Sequence, residues 1–383
     1  MGELDLKPRY DILDGLRGVA AVYVVVSHLA ESYMPTPLNW PQVIGHAHLA
    51  VDFFFALSGY VIAYAYDSRW ARMGYLEFFK RRLVRLHPLV VFGSTLGFLM
   101  FLACGVWAFP QMRLSGTADI AAFFVFSLLM IPCPYGKTAM NLNPFNGPNW
   151  SLTYEYVANI LYAFVFRRFG KRLLIAAVAV TGVFSVLLAM KVDLFGYLAG
   201  RTRYTIAGGM TFCPAQVYIG FTRLLFPFLL GMLLARMKWR LSVPHGFWLC
   251  TIALTAFVCM PRIGGWGMPP AQQMTSVWNG VFELVALFVA FPAILMAGAG
   301  SLPGSERTER FCRFLGELSY PLYMTHYPFI YLHHAWAKDN WNAYPAWIHI
   351  AGAAVFLLFS VLFAWGAYRL YDVPARRWLS KRK

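Results

Sequence analysis

Eleven apolar stretches divide the chain, near residues 15–33, 48–66, 86–109, 118–132, 150–166, 173–190, 208–235, 245–260, 277–299, 315–336 and 346–368. Several of the polar links between them carry arginine and lysine clusters: Arg69/Arg72/Lys80/Arg81/Arg82/Arg85, Arg167/Arg168/Lys171/Arg172, Arg236/Lys238/Arg240 and Arg307/Arg310/Arg313. With Lys7, Arg9 and the tail from Arg369 to Lys383, these hold 24 of the 33 basic residues. Basic residues gather in loops on the cytoplasmic side of a membrane, so all of these segments are placed inside. The clusters ending at Arg85 and starting at Arg167 then share a side, and an even number of crossings separates them. Three apolar stretches lie between. The shortest, 118–132, has only 15 residues, below the roughly 17–25 that a spanning helix needs. It reads as re-entrant or interfacial on the outer side. The pattern predicts an all-α polytopic membrane protein with about ten transmembrane helices plus that short segment. Both termini are expected in the cytoplasm, and residues 1–383 form one membrane domain, with no internal repeat and no linker to a soluble module.

Composition agrees with that reading. Hydrophobic residues make up 59% of the chain and charged ones 13%, against about 25% charged in soluble domains. The net charge of +16 has its source in the inner loops. No interleaved basic and aromatic surface of the kind nucleic acid requires is present, so the expected surroundings are membrane lipid. The N-terminal segment lacks a small-residue cleavage site and reads as leading into a retained first span. The six cysteines form no ligand spacing and read as apolar fillers. Cys133 and Cys213 both fall in loops placed outside, which leaves a disulfide between them open. The histidine spacings make no zinc motif, and no metal is expected.

Ionisable residues inside a membrane are functional candidates. Arg17 and His28 stand eleven residues apart in the first stretch, almost three turns, on one helix face and roughly 16 Å apart along the axis. That puts a cation near the inner surface and an imidazole beyond the midplane. The second stretch starts outside with His46, His48 and Asp52. Glu155 lies about two turns into its span from the outer end, Arg223 is thirteen residues before Arg236, and His326 is about eleven residues in from the inner side. These depths let His28, Glu155, Arg223 and His326 meet in the outer half of a bundle, provided their helices pack together. Simpler roles compete. A membrane histidine can hydrogen-bond a neighbouring helix, Glu155 and Arg223 can form a structural ion pair, and Arg81, Arg82 and Arg85 can touch lipid headgroups.

Five segments, in order, resemble the acyltransferase 3 family of bacterial membrane O-acyltransferases. They are LDGLRGVAAVYVVVSHL (13–29), VDFFFALSGYVI (51–62), FFKRRLVRLHPL (78–89), NWSLTYEYV (149–157) and GELSYPLYMTHYP (316–328). The tail YDVPARRWLSK (371–381) matches as well, with Asp372 where glutamate is common. The resemblance implies a multi-pass protein of the bacterial cytoplasmic (inner) membrane. It implies transfer of an acyl group, usually acetyl, from cytoplasmic acyl-CoA to a hydroxyl of an extracytoplasmic or lipid-linked glycan. Arg17, Arg81, Arg82 and Arg85 are then the expected anchor for the CoA phosphates, since arginine pairs with phosphate in a bidentate way. His28 is the expected general base, or the carrier of an acyl-imidazole. Glu155 is its expected orienter or a contact to the acceptor, and Arg223, Ser58 or His326 is the expected oxyanion stabiliser. Some family members carry an extracellular hydrolase-like domain. This chain ends at Lys383, so a second step is expected from a separate extracytoplasmic partner enzyme. Two other classes compete. A proton-coupled transporter or flippase of a glycan intermediate also places His, Glu and Arg in mid-membrane, but two related halves are not detectable. A silent scaffold leaves the shared face of Arg17 and His28 unexplained.

Overall fold

The computed structural model describes residues 9–33, 44–134, 142–264 and 274–381. Among these residues it is helical throughout, with no strand. The helices in chain order are α1 (Asp11–Glu31), α2 (Leu49–Tyr66), α3 (Tyr75–Ala108), α4 (Thr117–Leu129), α5 (Asn149–Phe164) and α6 (Lys171–Ala189). They continue with α7 (Pro214–Met237), α8 (Gly246–Val258), α9 (Val277–Gly300), α10 (Glu306–Asn340) and α11 (Ala346–Lys381). Each coincides with one apolar stretch of the sequence. Seven of them, α1, α2, α3, α6, α7, α9 and α11, are long and apolar enough to cross a membrane. The segment 118–132 forms α4, of 13 residues, about 20 Å at 1.5 Å per residue and short of the roughly 30 Å hydrocarbon core. Helix α8, read from the sequence as a crossing, is equally short.

Local chemistry sets the boundaries. Ser305 starts α10 by accepting the N–H of Thr308 on its side chain, and Pro214 occupies the first turn of α7, where no N–H is needed. Met130 closes α4 in a left-handed conformation. Two π-helical turns interrupt α9 at Ala286–Ala290 and α11 at Tyr368–Asp372.

Helices in lipid gain little from hydrophobic burial and associate through close packing. The closest approaches here use glycine. Gly59 of α2 faces the backbone carbonyl of Phe228 on α7, and Gly231 of α7 faces the carbonyl of Ala56 on α2. A methyl group at either site meets the opposing backbone, so Gly59→Ala is expected to push α2 from α7 and cost about 1–3 kcal/mol as overpacking does; lowered thermal stability in detergent checks this. Gly18 of α1 lies in the same way against the Leu315 backbone of α10. Helices α6 and α11 instead turn Val180, Val183, Val355, Leu358 and Leu362 outward, as lipid-facing helices do.

Two directions matter for the site. Helices α1 and α10 run parallel: Arg17 bonds Ser319 near their starts, and the carbonyl of His28 accepts from His334 near their ends. Helices α3 and α5 run antiparallel, with Arg82 bonded to Asn159 and Ser94 to Asn149.

Candidate active site

Two adjoining cavities open along α1, α2, α3 and α10. The wider, about 1340 Å³, is lined by Arg9, Asp14, Arg69, Tyr368, Asp372 and Arg376 among others, all from the helix ends that carry the basic clusters. The inner chamber, about 880 Å³, is lined by Phe54, Ser58, Arg82, Ser151, Glu155 and Tyr323 among others. Arg17, Leu57, Val61, Arg85 and Tyr320 line both and so form the neck. The chamber's far wall is apolar and aromatic, which suits a long uncharged arm better than a second charge.

The neck arginines differ in how they are held. Arg17 donates from Nε to Ser319 Oγ at 2.9 Å and from Nη2 to the Gly316 carbonyl at 2.9 Å, with Asp14 at 3.3 Å. It is fixed by the helix that lies parallel to its own. Arg85 makes no ion pair or hydrogen bond among the described residues, and it faces the cavity with its charge uncompensated by a direct partner. Arg82 is committed: Nη2 donates to Glu155 Oε1 at 2.7 Å and Nε to Asn159 Oδ1 at 2.6 Å. Arg81 lies off the site. It pairs with Glu77 one turn earlier at 2.5 Å and lines neither cavity, which corrects its expected place beside Arg82 and Arg85.

His28 and His326 do come together. Their rings stack with centroids 5.6 Å apart, and Tyr327 packs edge-on against His28 at 4.8 Å. His28 Nδ1 lies 2.9 Å from Glu31 Oε2, one turn later on α1. Neighbouring His326 is buried, with Nδ1 2.9 Å from the Leu322 carbonyl and Nε2 unpaired. Its ring is 6.1 Å from that of Tyr323, whose hydroxyl meets Ser151 Oγ at 2.6 Å in the chamber wall. A layer of Tyr323 and His326 therefore stands between the chamber and His28.

Glu155 and Arg223 do not join this group. Glu155 accepts from Ser58 at 2.7 Å as well as from Arg82, so it belongs to the chamber and does not orient His28. The carboxylate beside His28 is that of Glu31. Arg223 forms a bidentate pair with Asp52 at 2.7 and 3.1 Å, donates to the carbonyls of Gly208 and His48, and lies over the ring of Trp150. With its donors engaged and its side chain buried, it is poorly placed to receive a developing oxyanion. The Glu155–Arg223 pair that sequence depth allowed is thus replaced by Glu155–Arg82 and Asp52–Arg223. Among other polar groups, Cys133 and Cys213 are both free thiols. Burial pushes Cys133 up to about 12, so its thiolate is scarce at neutral pH.

The contacts missed in the sequence fall into two groups. Glu31 stands three residues after His28, a spacing at which helix side chains meet, and that signal was legible. Ser151, Tyr323 and Asp52 act through partners 171 or 172 residues away, which no local pattern discloses.

Comparison with known proteins gives a matching context. The acyltransferase-domain profile of the acyltransferase 3 family matches residues 10–369. "Protein 2 in picA locus" of Rhizobium radiobacter is 34% identical over 171 residues, 43% of this chain and 84% of that protein. O-acetyltransferase OatA of Staphylococcus aureus is 25% identical across 97% of this chain and 58% of its own length. Peptidoglycan O-acetyltransferase OatA of Listeria monocytogenes is 27% identical across 84% of this chain and 49% of its own length. The chain therefore spans about half the length of the OatA relatives. No solved structure matches it. An arginine-necked double cavity, a stacked histidine pair and a profile match over nearly the whole length lead to one conclusion: the chain belongs to the acyltransferase 3 family of membrane acyltransferases.

Proposed function

We propose that this protein moves an acyl group, acetyl as in its OatA relatives, from cytoplasmic acyl-CoA to a hydroxyl of an extracytoplasmic glycan. The observation that carries this reading is the pair of joined cavities with Arg17 and Arg85 at their neck. The wide cavity takes the nucleotide end of CoA, and the neck arginines pair with its phosphates. The slimmer, apolar chamber takes the pantetheine arm and brings the thioester to Tyr323 and His326. His28, oriented by Glu31, removes the proton from the acceptor hydroxyl as that oxygen attacks the thioester carbonyl. Collapse of the tetrahedral intermediate breaks the C–S bond, and the proton on His28 passes to the departing sulfur, giving CoA thiol and ester. This route requires the Tyr323–His326 layer to part. The hydroxyls of Tyr323 and Ser151 in that layer are the oxyanion stabilisers in place of Arg223, whereas His326 has its Nδ1–H engaged by the Leu322 carbonyl and turns an acceptor Nε2 toward the site.

The same reading places the protein in the bacterial inner membrane with ten crossings and both termini inside. Parallel packing of α1 and α10 supports it, because a chain that leaves by α1 must return an odd number of times before α10 starts on the same side. Helices α2 to α9 satisfy that if an odd number of the eight do not cross, and with a single exception α4 is the candidate. Antiparallel α3 and α5 support the same choice.

The neck is tested by acyl-CoA binding to the purified protein. Arg85→Ala is expected to weaken binding by roughly tenfold or more, in line with about 1.5–3 kcal/mol for a hydrogen bond to a charged group. Arg17→Ala is expected to do the same, whereas Arg81→Ala leaves binding unchanged. Equal effects of all three would show that the arginines act only as a general cytoplasmic charge.

A further inference from the structure

Apart from the acyl-transfer site, one buried cluster has the composition of a metal centre. His46 and His48, in and at the end of the turn before α2, meet Glu283 of α9, 237 residues beyond His46. His46 Nδ1 is 3.2 Å and His48 Nε2 is 3.0 Å from Glu283 Oε1. One donor atom from each of the three side chains lies within 4.8 Å of the others. We propose that His46, His48 and Glu283 bind a divalent transition metal ion of the zinc class.

Three observations support the assignment. Two imidazoles and a carboxylate are a nitrogen–oxygen donor set suited to zinc and its neighbours. Ligand atoms about 2.0–2.1 Å from one tetrahedral zinc lie about 3.3–3.4 Å from each other, close to the two separations found. More telling is His48 Nε2. It is buried beside the carboxylate, yet its angle admits no hydrogen bond, and it finds no other partner. In the neutral ring with Nε2 unprotonated, a lone pair faces a carboxylate oxygen 3.0 Å away and is repelled. A cation between the two atoms removes that repulsion.

The surroundings have the form of an outer coordination shell. Thr205 Oγ1 donates to Glu283 at 2.8 and 3.0 Å, and the N–H of Ile206 donates to Oε2 at 2.7 Å. Such bonds fix a ligating carboxylate and tune its basicity. Glu283 is fully buried, while the His48 side chain keeps 18% of its exposure, enough for an ion to enter past it and for water to complete the set. The backbone carbonyl of His48 also accepts from Arg223. An ion here therefore braces the turn before α2, the 205–206 segment and α9 against the Asp52–Arg223 pair. The π-helical turn that begins three residues after Glu283, at Ala286–Ala290, is the kind of local irregularity that accompanies functional side chains.

The test uses the full chain purified without a polyhistidine tag, stripped with a chelator, loaded with Zn²⁺ and desalted. Elemental analysis is expected to give one zinc per chain. The melting temperature should fall on chelation and recover with Zn²⁺ but not with Mg²⁺. His48→Ala, at the partly exposed ligand, should fold, lose the zinc and show no response of its melting temperature to zinc. Glu283→Gln serves as the second variant and should also lose the ion. Wild-type protein that retains no zinc and melts alike with zinc and chelator would overturn the proposal and leave a simple histidine–carboxylate pair. Zinc retained equally by the His48 and Glu283 variants would overturn it too, by placing the ion elsewhere.

Discussion

Replacing His28 with alanine is expected to lower acyl transfer by about 10²- to 10⁴-fold, the usual contribution of a positioned general base, while acyl-CoA still binds. The separation of effects follows from the geometry. Arg17 and Arg85 line the neck shared by the two cavities, whereas His28 lies beyond the Tyr323–His326 layer and lines neither. On the proposed route, loss of the imidazole removes the proton acceptor without touching the phosphate anchor. Glu31→Gln should produce a smaller fall, because the ring of His28 stays but the carboxylate 2.9 Å from its Nδ1 no longer holds its tautomer. Glu155→Gln should act differently, loosening Arg82 and Ser58 in the chamber wall and so weakening the thioester's fit. Initial rates and acyl-CoA binding measured on the same preparations distinguish these outcomes. A His28→Ala protein with undiminished rate removes His28 from the chemistry.

The second large effect is on stability. Arg223→Ala is expected to cost about 3–5 kcal/mol, the usual consequence of leaving one charge of a buried pair alone. The side chains of Arg223 and Asp52 are 2% and 0% exposed, and Arg223 also ties down the carbonyls of Gly208 and His48. Asp52→Ala should be comparably harmful. Replacing both partners by apolar residues of similar volume should cost less than either single change, since no charge is then stranded. Unfolding of the four proteins in detergent measures this directly. An Arg223→Ala protein of normal stability but greatly reduced transfer would instead restore Arg223 to the oxyanion role that its depth in the sequence suggested.

The helices and the site were not equally legible in the sequence. Each apolar stretch became a helix, because in lipid a backbone has few other ways to satisfy its hydrogen bonds. The shortness of α4 could be read from 15 apolar residues and confirmed by parity. The equal shortness of α8 could not, because apolar Cys259 and Met260 extend the hydropathy beyond the helix end at Val258. The shared face of Arg17 and His28 was legible, because eleven residues make almost three turns of helix. The division among the arginines was not, because Arg85 is three residues from Arg82 and four from Arg81 and shares a face with both. What periodicity cannot supply is which helices are neighbours. That is why Glu155 was expected near His28 and is found with Arg82 on α3, and why Arg223 was given chemistry when its partner was Asp52 on α2. The proposed metal centre is hidden in the sequence for the same reason, its third ligand lying on a helix far along the chain.

The central claim is that an acyl group leaves CoA and arrives on a glycan hydroxyl. The most direct measurement follows labelled acetyl-CoA with the purified protein in nanodiscs and a panel of sugar acceptors, read by mass spectrometry beside His28→Ala. Wild type is expected to give an acetyl ester on an acceptor and free CoA in equal amounts, and the variant neither above background. A folded protein that binds and consumes no acyl-CoA, yet carries a glycan across the membrane unchanged, would contradict it and make this a transporter.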